Sequence, residues 1–342
     1  MTGKTRGGLS SVNRGIVVSV FLIVACLGAA CNPLPLADGG SARGAKAARR
    51  PGQSKAAKKA GAAREANPSA RAVRLEDASV RESSGVAASR RNPGLYWTHN
   101  DSGDGPLIYA FDGDGRKRGV WRVEGASSRD WEDIACGPGP ARGAHYLYVG
   151  DIGDNKRARD FVTVYRLREP AVAAPDAAST RKSPRATEPA EAIRLKYPDG
   201  PRDAEALMVH PKSGDIYIVT KGSVAEVYKL GAAEAAPGEV RTLARVGEFS
   251  SGGLFGGLIT GGDISPDGRR VALCDYVSGY ELRLPDAKAD KFDSVWRQEP
   301  APVNLGPREQ GEALCYTLDG SSLVATSEGS PASIILVPLP GN

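Results

Sequence analysis

One short pattern recurs five times along the chain: ESSGVA at 82–87, DWEDIA at 130–135, DAEALM at 203–208, TGGDIS at 260–265 and QGEALC at 310–315. Each copy ends in an acidic or small pair, an aliphatic residue, and a small or apolar one. Each is followed at a similar offset by a turn and a second apolar run, in SRRNPGLYW, GPGPARGAHYLYV, HPKSGDIYIV, SPDGRRVAL and TLDGSSLVA. Pro, Asp and Gly in these turns supply the fixed or positive backbone angles that tight reversals need. Aligned on the aliphatic, the register runs Val86, Ile134, Leu207, Ile264 and Leu314, at intervals of 48, 73, 57 and 50 residues. A multi-strand unit repeating at roughly 40–50 residues is the signature of a radial array of four-stranded blades.

The intervening sequence agrees. Runs of apolar and β-branched residues such as LYWTHND, LIYAFDGDG, HYLYVGDIGDN, VTVYRLREP, DIYIVTKG, RRVALCDY and SIILVPL are punctuated by Gly, Pro, Asp and Asn, with no long helical periodicity. The one long interval contains an Ala/Pro-rich stretch near 171–190, read as a surface insertion. After Leu314 only 28 residues remain, enough for an inner strand and two more. The missing outer strand is expected from Ala72 to Glu76, which would close the ring and remove its exposed edges. The expectation is therefore an all-β chain whose residues 72–342 form a single β-propeller of five four-stranded blades, or six if one blade has diverged.

The N-terminal 31 residues have an export layout: Lys4, Arg6 and Arg14 precede an apolar run from Ile16 to Leu27 that is too short for an ordinary membrane span. Ile23-Val24-Ala25-Cys26 and Gly28-Ala29-Ala30-Cys31 both resemble the lipobox of bacterial lipoproteins, so Cys26 and Cys31 are alternative lipidation sites. Residues 32–71 are almost entirely Ala, Gly, Pro, Ser, Lys and Arg, a composition that buries too little apolar area to offset the entropy of ordering, and are read as a disordered tether. These features imply an exported lipoprotein of the bacterial cell envelope, held at the membrane by its anchor and facing periplasm or cell surface.

Lys and Arg total 45 against 40 Asp and Glu, but nine of the basic residues lie between 41 and 71 opposite the single acid Glu65. The remainder is close to neutral, so nothing calls for nucleic acid. Beyond the lipobox, Cys136, Cys274 and Cys315 allow at most one disulfide.

Taken together, ESSGVA, WTHNDSG, DWEDIACG, YVGDIGDN, VTVYRL, DAEALMV, DISPDGRRVAL and QGEAL resemble a group of often exported bacterial β-propeller proteins, and more loosely the SdiA-regulated family and other relatives of NHL-type propellers. The resemblance covers nearly all of residues 78–338. It implies the fold and carries no reaction with it.

Propeller topology places the start of each inner strand and the end of the next strand on one face. Glu132, Glu205 and Glu312 share one repeat position there, with Ser84 and Gly262 in the other two copies. Asn100, Asp101, Asp151, Asp154, Asn155, Lys221, Asp275 and Glu328 follow the second strands onto the same face. Carboxylates converging near an axis repel unless solvated, protonated or paired with a cation. The candidates for that cation are Lys221, Arg129, Arg202, Arg308 or a hard metal such as calcium. The opposing expectation is that the acids brace loops by accepting backbone amides. Trp131, flanked by Asp130 and Glu132, is a candidate aromatic contact for a sugar ring or peptide side chain. His99 is the one histidine expected near this face and a candidate base, while His145 and His210 lie apart from it. GxSxG, HExxH, CxxC and Walker patterns are absent.

Two functions fit. The first is a cell-envelope binding or scaffold module recognising a protein, peptide or glycan through an acidic channel mouth. The alternative is a divalent-metal-dependent hydrolase of lactone or phosphoester type.

Overall fold

The computed structural model describes residues 69–252, 256–285 and 291–340. The export segment with Cys26 and Cys31, and all but the last residues of the tether, lie outside the described residues. Within them, five antiparallel four-stranded blades form a ring, a five-bladed β-propeller. Blade I comprises β2 (Ser83–Ala88), β3 (Leu95–Asn100), β4 (Leu107–Asp112) and β5 (Lys117–Arg122). Blade II comprises β6 (Trp131–Pro138), β7 (His145–Asp151), β8 (Val162–Arg168) and β10 (Glu191–Lys196). Blade III comprises β11 (Ala204–Val209), β12 (Ile216–Thr220), β13 (Ala225–Leu230) and β15 (Ala244–Phe249). Blade IV comprises β16 (Gly261–Ile264), β17 (Arg270–Cys274), β18 (Gly279–Arg283) and β19 (Ala301–Val303). Blade V comprises β20 (Gly311–Tyr316), β21 (Ser322–Ser327), β22 (Ser333–Pro338) and, as its outer strand, β1 (Arg71–Arg74).

The ring closes as the residue count requires. β1 pairs antiparallel with β22, Arg71 opposite Leu336 through Arg74 opposite Ser333. This strand begins at Arg71, one residue inside the stretch read as tether. Leu75 follows it into the core between blades V and I.

The aliphatic register of the five repeats is structural. Val86, Ile134, Leu207, Ile264 and Leu314 stand opposite Thr98, Val149, Ile218, Val271 and Ala325 in the first hairpin of their blades. The inner strands are enclosed on both faces by their neighbours, so AEALMV of β11 and GEALCY of β20 are buried at every position. The outer strand EAIRLK of β10 instead alternates buried and exposed residues in its second half, the period-two pattern of a strand with one wet face. Inner strands also approach one another closely. A Cβ on Gly85 would lie 2.6 Å from the Ile134 nitrogen, and one on Gly261 would lie 2.8 Å from the Glu312 carbonyl oxygen.

One apolar cluster fills each seam between adjacent blades: I–II around Trp97, Trp121 and Trp131, II–III around Tyr148 and Leu207, III–IV around Tyr217 and Trp296, IV–V around Tyr316 and Leu323, and V–I around Tyr109 and Val324. Stability is thus distributed around the ring.

The 171–190 insertion packs back onto the ring. After a short 3₁₀ turn at Ala174–Ala178, β9 (Arg185–Ala186) pairs parallel with β5, adding a fifth strand to blade I. β14 (Arg241–Thr242) likewise extends blade II by pairing with β10. Both connections cover an outer edge of the preceding blade. Cys136, Cys274 and Cys315 are free thiols. No helix among the described residues is long and apolar enough to cross a membrane.

Candidate functional site

The repeat position held by Ser84, Glu132, Glu205 and Glu312 coincides with a break in strand register. The pairing slips between Ser83 and Gly85, Trp131 and Asp133, Ala204 and Ala206, and Gly311 and Leu314. Blade IV, where Gly262 holds the position, pairs without a slip. A bulge leaves one residue out of the ladder and re-aims its side chain. All three glutamates are buried, at 6–8% exposure.

They converge electrostatically. Burial raises Glu132 well above the ordinary glutamate range, and the negative charges of Glu205, Asp101 and Asp130 add to it. Burial also pushes Glu312 up to about 8, with Glu205 and Glu328 raising it further against a hydrogen bond from Gln310 Nε2 at 2.7 Å. Glu205 is pushed up to about 7 by burial, in spite of the Lys221 ammonium that donates to it. Lys221 is desolvated too, but Glu205 and Tyr276 hold it firmly protonated. Its ammonium also donates to the Tyr276 hydroxyl at 2.6 Å and lies 5.0 Å from the centre of that ring. Lys221 is therefore committed to the blade III–IV side of the mouth.

On the opposite side, carboxylate oxygens of Asp101, Asp130 and Glu132 lie within 4.8 Å of one another. Asp130 is pushed up to about 6 by burial and by Asp101 and Asp203, with Arg159 opposing. A Cβ on Gly153 would sit 2.1 Å from Glu132 Oε1 and 2.5 Å from Asp130 Oδ2, so the GDIGDN loop closes against both carboxylates with its bare backbone.

Several residues expected at the mouth instead brace loops. Asn100 Oδ1 accepts the amides of Arg81 and Glu82, and its Nδ2 donates to Ser79 O and Asp104 Oδ2 at 2.8 Å each. Asp151 accepts the amides of Arg129 and Asp130 and forms a buried ion pair with Arg159 at 2.7 Å. Asp154 accepts the amides of Ala158 and Arg159, and Asp275 those of Val277 and Ser278. Asn155 is exposed on the loop between β7 and β8.

Two aromatic expectations are corrected. Trp131 is fully enclosed, its Nε1 donating to Ser127 O at 2.9 Å, so it presents no face to a ligand. His99 is fully enclosed beside it, edge-on at 5.7 Å, with Nδ1 against Asn100 O. Burial lowers its basicity and leaves the ring no exposed face. Of the candidate cations, Arg202 pairs with Asp199 and Glu226, and Arg308 donates to the carbonyls of Asp275 and Ser278. Arg129 is exposed.

Sequence reasoning missed the cross-blade aspartates. Asp133 accepts Ile134 N at 2.8 Å and Leu207 N at 2.9 Å, tying blade II to blade III. Asp263 does the same between blades IV and V through Ile264 N and Tyr316 N, both at 2.8 Å. Their shared repeat position, directly before the register aliphatics Ile134 and Ile264, is the signal that could have found them.

No protein-family model and no curated protein matches the chain. Among solved structures it is similar to "Crystal structure of RRP9 WD40 repeats", with a TM-score of 0.44 and 9% identity over 80% of this chain and 98% of that one. It is also similar to "Structure of U3-55K", with a TM-score of 0.37 and 10% identity over 75% of this chain and 68% of that one. These likenesses carry no statement about activity. The resemblance to bacterial and NHL-type propellers accordingly stands at the level of the propeller fold, which the five sheets themselves establish.

Proposed function

We propose that this chain is an exported, lipid-anchored propeller of the bacterial cell envelope, a binding or scaffold module whose acidic mouth takes a cationic segment of a protein or peptide partner. The observation carrying this reading is the convergence of Glu132, Glu205 and Glu312 with Asp101, Asp130 and Glu328, around a mouth whose lysine is already paired. A buried excess of carboxylate favours a ligand that brings positive charge, and an arginine or lysine side chain supplies it with directed donors. The enclosure of Trp131 removes the aromatic platform on which a glycan reading rested. The enclosure of His99 weighs against the hydrolase alternative, which needs an accessible base.

The test is binding of the full-length chain to Lys/Arg-rich peptides and to neutral peptides of equal length. Expected is salt-sensitive binding of the cationic set alone, weakened at least tenfold by Glu205→Gln with Glu312→Gln. Equal binding of both sets, or an unaffected double variant, overturns the reading. Anchoring is tested by replacing Cys26 and Cys31 with Ser, expected to abolish acyl labelling and membrane retention.

A further inference from the structure

We infer that Asp101, Asp130 and Glu132 form a binding site for one hard divalent cation, calcium in ligand preference, at the seam of blades I and II. The site shares Asp101, Asp130 and Glu132 with the acidic mouth of the cationic-ligand reading, and its calcium test is separate from the peptide test of that reading. Its geometry comes from two segments: the turn after β3, which carries Asp101, and the start of β6, where Asp130 precedes the strand and Glu132 sits in its bulge. One carboxylate oxygen from each falls within 4.8 Å of the others. That span suits oxygens arranged around a calcium ion, whose ligands sit at about 2.3–2.6 Å.

An independent observation singles out Glu132. Every other buried carboxylate among the described residues receives a donor. Asp133, Asp151 and Asp154 accept pairs of backbone amides. Glu169 accepts the Trp97 indole, Glu281 pairs with Arg270, and Glu205 pairs with Lys221. The rest are likewise satisfied by amides, hydroxyls or side-chain nitrogens. The Glu132 carboxylate, in a residue only 6% exposed, receives no hydrogen bond and no ion pair among the described residues, and its oxygen faces those of Asp101 and Asp130. The Asp130 carboxylate has no hydrogen-bond donor either.

A largely buried acid without a protein donor is costly, and two further acids beside it add repulsion. A divalent ion removes both penalties by binding all three groups. Arg159 opposes the charge on Asp130, but its hydrogen bonds go to Asp151 and Gly153 O, at 2.7 and 2.8 Å, and none reaches Asp101, Asp130 or Glu132. Gly153 lies against the site, and a Cβ there would displace the Glu132 and Asp130 carboxylates from their present positions. Three carboxylates supply part of the six to eight oxygens that calcium takes, and solvent or backbone oxygens supply the others.

The experiment uses the full-length chain, with calorimetric titration of calcium chloride and thermal unfolding in calcium or in chelator. Expected are one calcium per chain and a melting point several degrees higher in saturating calcium than in chelator, because a ligand that binds only the folded state stabilises it. Glu132→Gln and Asp101→Asn should each weaken calcium binding at least tenfold. Gly153→Ala, which removes no charge, should weaken it as well. Asp101 lies on a half-exposed turn, so its variant folds even where the Glu132 change is disruptive. Absence of calcium binding up to millimolar concentration, or equal binding by wild type and Asp101→Asn, overturns the site. Loss of cationic-peptide binding with the calcium response intact overturns the proposed function instead.

Discussion

Asp133 on the inner strand of blade II accepts the backbone N–H of Leu207 on the inner strand of blade III at 2.9 Å, while its other oxygen accepts Ile134 N. One fully buried side chain therefore satisfies two amides that the axial strands leave unpaired, and joins segments 74 residues apart. Blades in a propeller share no ladder hydrogen bonds, so such links hold the ring's register beyond apolar packing. Asp133→Ala strands both amides, at a cost of about 1–3 kcal/mol for each buried donor left unsatisfied. Urea unfolding should show that loss, and Asp133→Asn, which retains one good acceptor, should lose less.

The Lys221–Glu205 pair gives a pH-dependent prediction. Lys221→Met removes the counter-ion from a buried carboxylate, which costs about 3–5 kcal/mol when that carboxylate is charged. Glu205 sits at about 7, so at pH 5 it is protonated and the cost shrinks. The gap between wild type and Lys221→Met, measured by chemical unfolding, is expected to widen from pH 5 to pH 8. Adding Glu205→Gln should close most of it.

Glu312 sets a slope of the same sign in the wild type. Its ordinary value of 4.5 is raised to about 8 in the folded protein, so the folded state holds this proton more tightly than the unfolded chain. Its contribution to stability is complete below about pH 4.5 and is lost as pH rises through about 8, a change on the order of a few kcal/mol. Glu312→Gln should flatten that part of the stability profile, and an unchanged profile would contradict the assignment.

Ring closure is tested by truncation. Removing residues 32–68 deletes a stretch whose composition offers no core, and the melting point should stay the same. Removal through Leu75 takes away β1 and a buried leucine, and exposes the free edge of β22. That deletion should lower the melting point and promote aggregation, read by light scattering during the melt.

The architecture was legible in the repeats. Five copies of one pattern, with their aliphatics in register, specified five inner hairpins, because a strand enclosed by neighbours on both faces must repeat its apolar residue at the same place in every blade. The 28 residues after Leu314 were too few for a full blade, and that shortage located the closing strand at the other end of the folded segment. The shared position of Glu132, Glu205 and Glu312 was legible too. How neighbouring acids differ emerges only in the folded ring. Asp133 and Glu132 are adjacent in sequence and both enclosed, yet a bulge turns Glu132 away from backbone donors while Asp133 points at the amide of the next blade. Trp131 and His99 read as mouth residues by position, but they pack into the blade I–II seam. Donor supply and side-chain direction depend on bulges and on contacts between blades whose residues lie 50 to 75 positions apart, and local sequence does not encode that proximity.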